Sequence, residues 1–246
     1  MKTLFLTALF IGTAFSAFAN GKVLLEDNFE NGFSKDWLEI SKKGVEIVPE
    51  DPAKPDGNKV ARITAKGYLA TPPAKAGDVK TAKANEALFD VWSDYELTFR
   101  FKIHPITNKT AKGSIGTIFI DFRISPSEEV AWAGESLWIC CKMPDKTWAL
   151  TPMLSWDGRN IGFDRNRIQK YDKKLYVDKK IDSEWHTVKI RCQGERAEIY
   201  LDGNLFIDAL DDHFIDGGVT IHFCKWGNRI DSPVDIDDVK IVKIEE

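Results

Sequence analysis

The chain is poor in the residues from which metal and redox sites are built. It has four histidines and three methionines in 246 residues. His104, His186, His213 and His222 show no i,i+4 pairing, which excludes a helical two-histidine metal motif. The four cysteines, Cys140, Cys141, Cys192 and Cys224, lack zinc-finger spacing. Basic residues form no stripe, with 34 Lys and Arg against 38 Asp and Glu and a net charge of −4. Nucleic acid is therefore not an expected partner. Ser/His/Asp and Cys/His nucleophile patterns and glycine-rich phosphate loops are also missing. No long apolar run follows residue 19, so no membrane span is expected in the mature chain.

The one apolar run that exists sits at the start. Lys2 supplies a positive end, Leu4 to Phe15 an apolar centre, and Ala17-Phe18-Ala19 a small-x-small cleavage site. The run is shorter than the ~20 residues that a spanning helix needs. Residues 1–19 are expected to be a signal peptide and residues 20–246 one large all-β domain, secreted or periplasmic.

What the rest of the chain does have is alternation. Tyr95, Leu97, Phe99, Phe101 and Ile103 alternate with Glu96, Thr98, Arg100 and Lys102, the period of a half-buried strand. Shorter strands are expected over 24–29, 45–48 and 59–64, and longer ones over 115–124 and 136–141. Pro, Asp, Gly and Asn between 49 and 58 read as a turn cluster, and 71–84 as a surface loop. The segment from about 142 to 183 reads as a long insertion. Val188, Ile190 and Cys192 are expected inward, and Asp202-Gly203 suits the positive-φ turn of a hairpin. Many short strands with no intervening helical pattern indicate a β-sandwich or barrel.

Four cysteines allow three disulfide connectivities in an oxidising compartment. Strand parity puts Cys141 with Leu137 and Ile139, and Cys192 with the inward residues of its strand. Cys140 and Cys224 take the opposite parity. If bridges form, parity pairs Cys141 with Cys192 and Cys140 with Cys224; small buried thiols are the other reading.

Several local patterns together resemble the concanavalin A-like jelly-roll superfamily, with its laminin-G-like modules, lectins and glucanases. They are Glu26-Asp27-Asn28-Phe29-Glu30, Asp94-Tyr95-Glu96-Leu97, Trp185-His186-Thr187-Val188, Ile199-Tyr200-Leu201-Asp202-Gly203 and Asp237-Asp238-Val239. Within the superfamily the chain looks most like secreted 3-keto-disaccharide hydrolase-like domains. The resemblance implies two stacked, curved antiparallel sheets, adjacent first and last strands, and a concave face open to glycans. It carries over no catalytic residue, because the Glu-x-Asp-x-x-Glu strand of the glucanases is missing.

The residues leave binding and hydrolysis both open. Asp121 is the nearest carboxylate to a catalytic candidate; Arg123, two residues on, shares its parity and would hold it ionised. His222, which shares its strand parity with Cys224 and Trp226, is the candidate acid or base. Trp138, Trp148, Trp156 and Trp226 are candidate sugar platforms, since indole faces stack on sugar rings. Trp37, Trp92 and Trp185 sit where the superfamily pattern expects packing. No cofactor is required by any motif; calcium is the one candidate, through Asp27 and Asn28 near the first strand and Asp235 and Asp237 on the last. Three readings follow: a carbohydrate-binding domain using its concave face, a hydrolase of the 3-keto-disaccharide type, or a laminin-G-like protein-interaction module.

Overall fold

Alternating side chains stand on opposite faces of a pleated strand, and this sequence is built from such strands throughout. The computed structural model describes residues 21–37, 39–41, 43–64, 67–71, 93–105, 116–125, 133–142, 147–155, 170–171, 179–210, 218–225 and 232–245. The expected signal peptide lies outside these residues, as does the 71–84 loop apart from Thr71. Among the described residues there is no helix, and so none long and apolar enough to cross a membrane.

In chain order the strands are β1 (Val23–Asp27), β2 (Glu39–Ile40), β3 (Val45–Pro49), β4 (Lys59–Ile63), β5 (Tyr68–Ala70) and β6 (Tyr95–Ile103). They continue with β7 (Gly116–Ser125), β8 (Ala133–Lys142), β9 (Thr147–Ser155), β10 (Lys170–Tyr171) and β11 (Lys179–Ile181). The last five are β12 (His186–Gln193), β13 (Arg196–Leu201), β14 (Asn204–Leu210), β15 (Gly218–Lys225) and β16 (Val234–Lys243).

They form two antiparallel sheets. One runs β10-β14-β13-β12-β6-β16-β4-β3, with β1 also paired to β16; the other runs β11-β9-β8-β7-β15-β5-β2. First and last strands are neighbours, as the resemblance implies. On β6, Tyr95, Leu97, Phe99, Phe101 and Ile103 are fully buried while Thr98, Arg100 and Lys102 are half-buried. Their partners from the second sheet include Leu69, Ile120, Phe122, Leu137 and Ile221, all in the same core. Alternation leaves sandwich and barrel open, and the two sheets sharing this core make it a sandwich.

Two local details set the framework. Asp202 and Gly203 have φ of 50° and 76°, and Leu201 faces Asn204 across the two-residue turn, as the Asp-Gly pair predicts. Asp238, with φ of 50°, sits where the β16·β6 register slips between Asp237 and Lys240. There β16 changes partner: residues 234–236 pair with β4 and residues 239–242 with β1.

The segment from 142 to 183 departs from the expectation of a connection. Thr147–Ser155 is a full strand paired along its length with β8. Pro152 disguises it, because proline removes a ladder donor and argues against a central strand. Pro152 faces Leu137 on one side, while on the other β11 reaches only residues 148–150.

Candidate functional site

In the seven-stranded sheet the register lines residues up across the strands. Leu137, Ile120, Ile221 and Leu69 form one row, and all four are fully buried. This row fixes the core parity. The positions one residue away belong to the opposite face. On one side lies the row Thr151–Trp138–Phe119–His222–Tyr68. On the other lies Met153–Ser136–Asp121–Thr220–Ala70.

Three sequence candidates therefore share one face. Trp138 and His222 occupy the same row, separated by Phe119, and Asp121 is in the neighbouring row. Asp121 and His222 are diagonal neighbours on adjacent strands, roughly 7–8 Å apart. The register thus sets aromatic positions in one row and carboxylate and hydroxyl positions in the row beside it. Phe119 and Tyr68 complete the row and were not singled out from sequence. Phe119 shares the strand parity of Asp121, which was a usable signal; Tyr68 lies in a three-residue strand too short to show a period.

Other candidates fall elsewhere. Trp148 faces Cys141 and buried Ile181, so its position carries the core parity and not that of Trp138. Arg123 has no register partner, because both ladders are irregular there. A bulge breaks alternation, so the parity that joined Arg123 to Asp121 does not extend to it. Trp156 and Trp226 lie outside the described residues.

The cysteines are distributed over both sheets. Cys192 is fully buried in the nine-stranded sheet, as its parity predicts, and Cys141 belongs to the other sheet. Cys140 and Cys224 face Thr117 from its two sides, two strand spacings or about 9.6 Å apart. A disulfide spans Cα atoms less than about 7 Å apart.

The four candidate calcium ligands are held by separate partners. Asp27, buried, accepts from the N–H groups of Phe29 at 2.8 Å and Ser34 at 2.7 Å and from Trp37 Nε1 at 2.7 Å. Asn28 Oδ1 caps the Glu30 N–H at 3.3 Å. Asp235 takes a bidentate pair from Arg62 at 2.7 and 2.8 Å and a contact from His104 Nε2 at 2.7 Å. Burial pushes the Asp235 carboxyl up, but those hydrogen bonds outweigh it and hold it below the ordinary range. Asp237 is raised, chiefly by burial and further by the charge of Asp238, against hydrogen bonds from Asn58, the Asp238 N–H and Arg100. Among the described residues no three His, Cys, Asp or Glu side chains converge as a cation would require.

Asp237 instead belongs to a closed circuit on the outer face of the nine-stranded sheet. Arg100 Nη2 donates to Asp237 at 2.6 Å, and Asn58 Nδ2 reaches both Asp237 at 3.0 Å and Glu50 at 3.1 Å. Glu50 accepts from Trp185 Nε1 at 2.6 Å, and the Arg100 guanidinium lies 4.9 Å from the Trp185 ring centre. His186 bridges Asp202 at 2.8 Å and Asp182 at 3.1 Å beside the Asp-Gly turn. Trp185, His186, Asp235 and Asp237 are thus all engaged in side-chain hydrogen bonds.

No protein-family model matches the chain, and no curated protein matches it in sequence. Solved structures do match in shape. The Crh5 transglycosylase in complex with NAG is 12% identical, covering 93% of this chain and 88% of that one, with a TM-score of 0.53. The carbohydrate recognition domain of Emp47p is 12% identical, covering 90% and 94%, with a TM-score of 0.50. At these identities the likeness gives the fold, a concanavalin A-like jelly-roll sandwich.

Proposed function

We propose that the chain is an exported carbohydrate-binding domain that takes glycans on the outer face of its seven-stranded sheet. The observation that carries this reading is the register row Trp138–Phe119–His222–Tyr68 with Asp121 in the row beside it. Aromatic rings recognise the apolar faces of sugars, while flanking oxygen and nitrogen groups take the hydroxyls. The two similar structures, a transglycosylase holding NAG and a carbohydrate recognition domain, agree with it.

A glycan array on the domain from residue 20, followed by calorimetry on the best ligand, tests the proposal. Trp138→Ala and His222→Ala are expected to lower affinity at least tenfold, while Arg196→Ala on the other sheet leaves it unchanged. A folded Trp138→Ala protein that binds like the wild type would sink the assignment.

A second reading rests on the diagonal placement of Asp121 and His222. In it the face hydrolyses its ligand, with these two as acid and base. Turnover of 3-keto-disaccharides that disappears in Asp121→Asn, with binding retained, would favour hydrolysis; no turnover in the wild type would remove it.

A further inference from the structure

The outer face of the nine-stranded sheet carries a groove of about 1280 Å³, larger than the ~300–1,000 Å³ of ordinary small-molecule sites. Its floor is made by the solvent-side residues of β6, β12, β13 and β16, and its wall by the loop after β1. The wall stands where it does because β16 passes from β4 to β1 at the Asp238 bulge. Asp27 then pins the loop through the Phe29 and Ser34 N–H groups and the Trp37 indole. Phe33, from this loop, packs edge-on against Phe29, with ring centres 6.0 Å apart.

The charges of the groove are already used. Arg100 is paired with Asp238 at 2.8 Å, Lys240 with Glu26 at 3.0 Å, and Lys189 with Glu96 at 3.8 Å. Asp202 holds the Thr187 N–H and His186. Each charged side chain lining the groove thus has a partner of opposite charge or an N–H donor. An ionic ligand would have to break these pairs.

Apart from Arg100 Nε, which is buried and makes no hydrogen bond, what remains unspent is neutral. The hydroxyls of Thr98, Thr187 and Tyr200 and the Asn31 amide line the groove and make no hydrogen bond to another described residue. Lys189 Nζ covers the Tyr200 ring at 4.3 Å, so that residue offers its hydroxyl more than its face. Burial, then the Glu198 charge, push the Tyr200 hydroxyl up in pKa, which keeps it a neutral donor. Phe33 supplies an apolar wall.

We infer that this groove is a second binding site, on the opposite sheet from the first, and that it takes an uncharged oligosaccharide. Three hydroxyls and an amide offer donors and acceptors to a polyol, and the paired charges around them select against ionic ligands. Because binding uses neutral groups, its affinity is expected to vary little with salt.

Cellotriose, xylotriose and mannotriose, with trigalacturonate as the acidic control, are titrated against four proteins by calorimetry. These are the wild type, Trp138→Ala, Thr98→Trp to fill the groove, and the milder Tyr200→Phe/Asn31→Ala. The expected result is saturable binding of a neutral trisaccharide that survives Trp138→Ala and high salt. It falls at least tenfold in Thr98→Trp and in the milder pair. The milder pair decides the matter if Thr98→Trp does not fold. Binding that persists in both groove variants overturns the inference, as does preference for trigalacturonate or the absence of neutral binding in Trp138→Ala. Loss in Trp138→Ala with retention in the groove variants would uphold the first site while removing this one, and the reverse pattern would do the opposite.

Discussion

Trp185 donates its indole N–H to Glu50 at 2.6 Å, tying the residue before β12 to the residue after β3 at the far edge of the same sheet. Three side chains, Asn58, Arg100 and Asp237, complete the tie, and their positions span more than half of the sequence. Trp185→Phe keeps a ring under Arg100 but leaves one Glu50 oxygen without its donor. It is expected to cost about 1–2 kcal/mol, read as a lower urea midpoint with an unchanged slope.

Acid should act through Asp235. A carboxyl held low in the fold contributes stability that is complete above its unfolded value near pH 4 and is lost as pH falls through its folded value. Asp237, raised by burial, works in the opposite sense: its ionised form is penalised at neutral pH, and protonation relieves it. Asp235→Asn is expected to flatten the acid limb and to cost about 3 kcal/mol at neutral pH. Asp237→Asn should cost less. Urea melts from about pH 2 to pH 7 check this, and an acid limb in Asp235→Asn as steep as in the wild type would refute it.

Gly67 and Gly203 should respond differently to alanine. A Cβ on Gly67 would lie 1.9 Å from the Gly44 carbonyl oxygen, a backbone atom that cannot swing away. Gly67→Ala is expected to destabilise by about 2–3 kcal/mol. A Cβ on Gly203 meets nothing within 4 Å, so only its φ of 76° matters. Gly203→Ala should cost about 1–2 kcal/mol. Thermal melts that rank the two the other way would contradict this.

Cys140 and Cys224 are expected not to be joined to each other. Peptide mapping of the protein without reduction reads this directly, and recovery of a Cys140–Cys224 peptide would show that β7, β8 and β15 pair in another register.

The local half of the structure was legible in the sequence. β6 was readable to its end residues because nine residues alternate without interruption, and the Asp-Gly hairpin because two positive-φ residues in a row have few other uses. β9 was hidden by Pro152, and β2, β5, β10 and β11 are too short to carry a period. The acids of the closing strand were visible, but their partners were not. Arg62, His104, Asn58 and Arg100 lie 131 to 179 residues away from them, so no local pattern could show which groups stand against these acids. Likewise Asp121 and His222 could each be given a parity, but only the β7·β15 register makes them neighbours.

The three-way pairing of β16 has a consequence in time. Residues 234–243 are made after every other strand described, yet β1, β4 and half of β6 have no complete ladder without them. The nine-stranded sheet therefore cannot close until residues 234–243 are available to pair, and pairing across such sequence distances is intrinsically slow. Until that strand docks, β1 has no partner and the edge of β4 towards β6 stays open.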